Sequence, residues 1–233
     1  MLKLVKALWS AGLLVLSTVR RAVCSCCAVA KKDNWLRLIF DVRRANMGCR
    51  APPKTALSTA VAITSLRLRN IDVTTDRPLE SIIVPVYLSD GFYQFWRPAM
   101  CQYFSPDCVV QAYEVGAEYM YDDDGVHSPC QESDWGFPCL ATVTMGWSWG
   151  VYVCHSVMVR CAVLALQLMC LTAGQVEAQV VTDGRESPSV RPGAPAVLVY
   201  VDNCGMLCWD TADPVLVRHA SQVVFDWFGL SYT

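Results

Sequence analysis

Apolar positions along the chain fall into separate blocks, and their spacing differs from block to block. Residues 7–16 form an apolar run between Lys3 and Lys6 on one side and Arg20-Arg21 on the other, which predicts an amphipathic helix or a poorly specified leader. A turn pair, Asp33-Asn34, precedes β-branched and aromatic residues over 36–42 and predicts a strand. Over 54–69, Ala56, Val61, Leu66 and Leu68 recur at helical spacing, behind a stop at Ala51-Pro52-Pro53. Residues 81–95 predict a strand running into a turn or helix at Asp90-Gly91. Residues 137–150 predict a strand and a glycine turn, and the apolar 151–170 a helix. Residues 198–209 are two apolar runs separated by the polar pair Asp202-Asn203, which predicts a β-hairpin with a carboxylate at its tip, because Asp and Asn tolerate the positive φ of a tight turn. After a Pro/Gly-rich link at 187–195 and that hairpin, Val215, Val217, Val223, Val224, Phe225 and Phe228 predict an amphipathic helix over 214–228. Strands and helices interleaved in this way predict an α+β fold.

Composition narrows the class. At 54% hydrophobic and 17% charged residues, the chain is too apolar for a disordered coil, and it is broken too often by Pro, Gly and charge for a polytopic membrane protein. Residues 157–173 are apolar, but that stretch carries Arg160 and Gln167, so a buried helix is expected and no stable membrane insertion. Thirteen cysteines are an odd number, and neither Cys24-Ser25-Cys26-Cys27 nor Cys204 with Cys208 supplies paired zinc-knuckle spacing; reduced, buried thiols in an intracellular chain are expected. The net charge of −2 conceals an asymmetry. Residues 1–70 carry 13 Lys and Arg against Asp33 and Asp41, a balance of +11, and residues 71–233 carry 6 against 19 Asp and Glu, a balance of −13. Such a chain either grips a polyanion or pairs its own two faces. The acidic residues Glu114, Glu118 and Asp122-Asp123-Asp124 lack the spacing of a calcium loop and are expected in a solvated loop.

Four motifs carry chemistry. Tyr200-Val201-Asp202-Asn203 is similar to the Tyr-x-Asp-Asp box of reverse transcriptases. The run from Lys31 to Asn46 resembles their fingers hairpin, Lys-Lys-x-x-x-x-Arg-x-x-x-Asp-x-Arg-x-x-Asn. Tyr87 to Phe92 resembles the first palm motif, Asp-x-x-x-(Ala/Gly)-(Phe/Tyr), and Met145-Gly146-Trp147 resembles the second. The order covers roughly residues 31–229, and the chain ends where that family continues to the primer grip and thumb. The resemblance implies a retrotransposon-type reverse transcriptase: a palm-like antiparallel sheet packed on helices, with a partial fingers subdomain. Residues 1–30 would be the leader or helix, 31–70 the basic fingers-like part and 71–233 the palm.

The resemblance also implies roles. Asp202 would be a metal ligand with Asn203 beside it. Lys32 and Arg37, with Lys31, would meet the nucleotide triphosphate, in keeping with what a guanidinium fork and an ammonium do with phosphate oxygens. Phe92 would be the steric gate against a ribose 2′-hydroxyl, and Gly146 would let backbone approach the template–nucleotide pair. Two Mg2+ ions, an RNA or DNA template–primer and deoxynucleoside triphosphates are the implied cofactors and partners. The principal ligand position, however, is Tyr87, and a neutral phenol coordinates magnesium poorly. Asp90 is a candidate acid three residues later. An impaired polymerase is therefore expected, with a non-catalytic nucleic-acid-binding remnant as the alternative. A third reading is a serine hydrolase: Gly146-Trp147-Ser148-Trp149-Gly150 satisfies Gly-x-Ser-x-Gly and precedes Asp213 and His219, although no glycine-rich oxyanion loop comes before it.

Overall fold

The computed structural model describes residues 1–30, 36–68, 81–169, 171–190, 194–208 and 213–233. In chain order the elements are α1 (Leu2–Ser10), β1 (Leu14–Ser17), β2 (Ser25–Ala30), β3 (Leu36–Asp41), α2 (Arg43–Met47), α3 (Ala60–Thr64), β4 (Arg67–Leu68) and β5 (Ile82–Tyr87). There follow 3-10 turns at Gly91–Gln94 and Pro98–Tyr103, then β6 (Val110–Gln111), α4 (Ala112–Val115), β7 (Tyr119–Tyr121), β8 (His127–Pro129) and β9 (Trp135–Leu140). The last part holds α5 (Gly150–Leu168), α6 (Ala173–Gln179), β10 (Val180–Val181), β11 (Ser189–Val190), β12 (Ala196–Tyr200), β13 (Asn203–Cys208) and α7 (Asp213–Trp227). They divide between two compact units: Met1–Pro52 with Phe92–Gly150, and Pro53–Gly91 with Val151–Thr233.

The first unit is built on a five-stranded sheet in the order β6-β9-β1-β7-β8. Its centre is β1, antiparallel to β9 and parallel to β7. All four β1 residues are buried. The helix or leader expected over 1–30 is a helix only in α1, which buries Val5 and Leu8; the following apolar residues are β1, because a strand covered on both faces also reads as an unbroken apolar run. Strands β2 and β3 pair as a separate two-stranded sheet in antiparallel register from Ser25↔Asp41 to Ala30↔Leu36. The expected turn at Asp33-Asn34 lies outside the described residues.

Asp122-Asp123-Asp124 form the exposed turn between β7 and β8, as expected, whereas Glu114 lies in the short helix α4. Glu114 accepts the Gln111 N–H (2.8 Å) in the capping box of α4, and Asp122 accepts from Asp124 and Val126 to close the β7–β8 hairpin. Arg20 pairs with Asp107 at 3.1 Å and Arg21 with Asp123, so part of the basic excess is matched inside the molecule.

The second unit carries a four-stranded sheet, β10-β12-β13-β5, antiparallel except for the short β10–β12 pair. Along β5 every second residue is buried: Val84 and Val86 face the core, while Ile83, Pro85 and Tyr87 are exposed. Tyr87 exchanges both backbone bonds with Thr233 (3.0 and 2.9 Å), so the odd residues of β5 turn their backbone groups away from β13. Pro85, two residues back, therefore removes no bond from the β13 ladder. Helix α7 packs against β5 and β13. Helix α5 is long and apolar enough to cross a membrane by length and composition. It buries one stripe, Cys154, Met158, Cys161, Ala162, Ala165 and Leu166, as a core helix does. The helix expected over 54–69 shrinks to the five residues of α3. The chain ahead of it runs irregularly, because Ser58 is recruited by the sheet: its hydroxyl donates to the Val181 carbonyl (2.6 Å) and accepts the Val199 N–H (3.0 Å). All twelve described cysteines are free thiols and seven are buried. The whole is the α+β, palm-like arrangement expected from the sequence.

Candidate functional site

The tip of the β12–β13 hairpin gathers the residues of interest in the second unit. Register pairs Tyr200 with Asn203, leaving Val201 and Asp202 as the two-residue loop. The expected turn pair was Asp202-Asn203. The structure shifts it by one residue, and the positive φ (58°) falls on Val201, a β-branched residue for which that conformation is an outlier costing about 1–3 kcal/mol. The surroundings hold it there. Leu88 donates its N–H to the Asp202 carbonyl at 3.1 Å, which ties the loop to the end of β5. Asn203, now the first residue of β13, stands opposite Tyr87 on β5.

Asp202 is half-buried at the apex, and Asn203 Nδ2 donates to its Oδ1 at 3.3 Å. Gly91 backs onto it: a Cβ there would come within 3.0 Å of the Asp202 Cβ and 3.1 Å of the Leu88 Cβ. Cys154 of α5 lies next to Gly91, and burial, then the Asp202 carboxylate, pushes its thiol up to about 12. Tyr87 is 46% exposed. Asp90 is exposed and has φ 51°, a conformation that Asp tolerates better than most residues, so it serves the turn into Gly91. Among the described residues no three His, Cys, Asp or Glu side chains gather in a metal-holding group.

The first unit holds the other candidates. Gly146 has φ 97°, and a Cβ there would meet Val42 Cγ2 at 3.4 Å, so the glycine turn packs against the end of β3. Asn46 fixes this turn with both ends of its amide: Nδ2 donates to the Gly146 carbonyl (2.9 Å) and Oδ1 accepts the Ser148 N–H (2.8 Å). Trp149 Nε1 donates to the Arg50 carbonyl (2.6 Å) and Trp147 Nε1 to Cys49 Sγ (3.4 Å). The buried Trp147 meets Phe104 edge-on, and the Arg97 guanidinium lies 3.8 Å over Phe104 and 4.8 Å over Trp147. Burial pushes Arg97 down to about 10. Phe92 lies against Gly150, whose Cβ would fall 3.2 Å from the Phe92 ring. Arg37 is exposed on β3 opposite Val29. Lys31 and Lys32 lie outside the described residues. Sequence reasoning assigned no role to Asn46, Val201 or Cys154. Asn46 closes the quoted fingers pattern, which is the one signal that pointed to it.

No protein-family model matches the chain, and no curated protein sequence matches it. Solved structures do. A foamy viral protease-reverse transcriptase in complex with double-stranded DNA aligns over 97% of this chain and 28% of its own, with TM-score 0.57 and 12% identity. A second structure of that foamy viral protein with double-stranded DNA aligns over 96% of this chain and 34% of its own, with TM-score 0.50 and 12% identity. The chain thus spans about a third or less of the chains it matches. Its fold is that of a reverse-transcriptase-like domain.

Proposed function

We propose that this chain is a fingers-and-palm domain of retrotransposon reverse-transcriptase type that binds a nucleic-acid template–primer and carries out template-directed DNA synthesis weakly or not at all. The observation that carries this reading is the register Asn203↔Tyr87: two of the three positions at which the resemblance implies acids hold an amide and a phenol. Binding is supported by the likeness to proteins solved with double-stranded DNA and by the +11 charge balance of residues 1–70. In this reading Arg37, with Lys31 and Lys32, holds a nucleotide triphosphate, Phe92 borders the sugar and Gly146 admits the template–nucleotide pair.

The donors near Asp202 do not fit the two magnesium ions that the resemblance implies. They are one carboxylate, one amide already bonded to that carboxylate and one neutral phenol, and two divalent ions side by side need more fixed negative charge. Asp90 adds a carboxylate on the neighbouring turn. Ser148 as a hydrolase nucleophile draws no support from the fold, since the described residues form no parallel sheet flanked by helices as in such enzymes.

Fluorescence anisotropy with a labelled primer–template tests the binding. Affinity is expected to fall linearly with salt on logarithmic axes as counterions are released. Absence of binding at low salt, or binding indifferent to salt, overturns the reading. Primer extension by Tyr87→Asp should exceed that of the parent.

A further inference from the structure

The open face of the β5–β13–β12 sheet ends in a row of three exposed residues. Tyr200 pairs with Asn203 across the hairpin and Asn203 pairs with Tyr87, so the three side chains share one face. Tyr200 is 55% exposed, Tyr87 46%, and Asn203 is exposed between them. Among the described residues neither tyrosine ring has a hydrogen-bond or ring partner. The next row inward is Leu198, Gly205 and Pro85, and Gly205 leaves the floor bare beside the tyrosines: a Cβ there would meet nothing closer than 3.5 Å.

We infer that Tyr87, Asn203 and Tyr200 form a stacking site for an unpaired base of a single-stranded nucleic acid, and that it works without a divalent ion. Strands β5 and β12 are two ladder spacings apart, about 9.5 Å. A planar base seated over Asn203 would have a tyrosine on either side, on strands each about 4.7 Å from β13, a spacing that falls in the 4.5–7 Å centroid range of aromatic pairs. The Asn203 amide, held by Asp202, keeps its carbonyl oxygen and one N–H for the edge of that base. A phenol where the resemblance implies an acid thus replaces a charge that repels phosphate with a surface that any base can stack on. The inference rests on the nucleic-acid reading above and adds where and how one base is held.

The test uses the full chain with a single-stranded oligonucleotide carrying one 2-aminopurine, in EDTA, as DNA and as RNA of the same sequence. Anisotropy reads binding and 2-aminopurine quenching reads stacking. The parent should bind and quench with both strands. Tyr87→Phe and Tyr200→Phe should retain both signals. Tyr87→Ala and Tyr200→Ala should lose quenching and weaken binding about 5- to 150-fold each, with unchanged circular dichroism because both side chains are exposed. If the alanine variants bind and quench like the parent, or if the parent needs a divalent ion to bind the strand, the stacking site is overturned while the nucleic-acid reading stands. If the parent binds neither single strand nor primer–template at low salt, both fall.

Discussion

The turn at Gly146 and the tip at Asp202 both hold a residue at positive φ, and they are held in opposite ways. At Gly146 the residue itself is unstrained, and side chains from a distant segment clamp it: Asn46 by two hydrogen bonds, with Cys49 and Arg50 accepting from the flanking tryptophans. At the tip the strained residue is Val201, and the restraint is backbone register, through Leu88 N–H and the Tyr200–Asn203–Tyr87 row, with a glycine where a side chain would collide. The first device fails when a side chain is removed. The second fails when one is added.

The largest test of this contrast is Trp147→Ala. It removes a buried indole that meets Phe104 edge-on and leaves the guanidinium, whose Nε and Nη1 lack hydrogen-bond partners among the described residues, without one of its aromatic faces. Chemical denaturation should report a loss of about 3–5 kcal/mol. A loss below 1 kcal/mol would mean that Trp147 is not the anchor of the turn.

Next is Gly91→Ala, which adds a methyl against Asp202 and Leu88. Overpacking of this kind costs about 1–3 kcal/mol. Gly205→Ala on the same sheet, with only ordinary contacts, should stay within about 0.5 kcal/mol. Equal effects at the two glycines would remove the close approach at Gly91 from the account.

Asn46→Ala should cost about 1–2 kcal/mol for two lost hydrogen bonds. Asn46→Asp keeps the acceptor for Ser148 N–H but not the donor for the Gly146 carbonyl, and it should fall between alanine and the parent.

The smallest effect concerns pH. His155 bonds the Ala56 carbonyl through Nε2 (3.1 Å), its buried Nδ1 has no hydrogen-bond partner among the described residues, and burial lowers its affinity for protons. The unfolded chain, with an ordinary His near 6.5, therefore binds more protons than the folded one in acid. This group's contribution is full above about pH 6.5 and declines as the pH falls below it. A plot of unfolding free energy between pH 8 and 5 should flatten in His155→Gln relative to the parent.

The hairpin over 198–209, the strand at 82–87, the glycine turn before a long apolar helix and the helix near 214–228 were legible because each is encoded in a window of a few residues: alternation, turn chemistry or a 3.6-residue stripe. The ordered set of chemistry-bearing residues was legible for the same reason. The resemblance to reverse transcriptases rests on four such windows.

What the windows could not carry is which partner each apolar block meets. A helix and a fully covered strand both read as one apolar run, so residues 7–16 yielded no boundary until β1 was seen between β7 and β9. Residues 54–69 have roughly helical spacing, yet Ser58 bonds to strands more than 120 residues away, and among the described residues of that stretch only α3 is helical. The loop of the hairpin shifted from Asp202-Asn203 to Val201-Asp202 because pairing with β5 chooses the register, and local preference for Asp and Asn at positive φ is weaker than a ladder of backbone bonds and buried side chains. By itself the sequence determined the local elements and the residue types at the candidate site. Tertiary structure alone decided that Asn46 reaches Gly146, that Gly91 underlies Asp202 and that Tyr87 faces Asn203, because each depends on contacts between segments far apart in the chain.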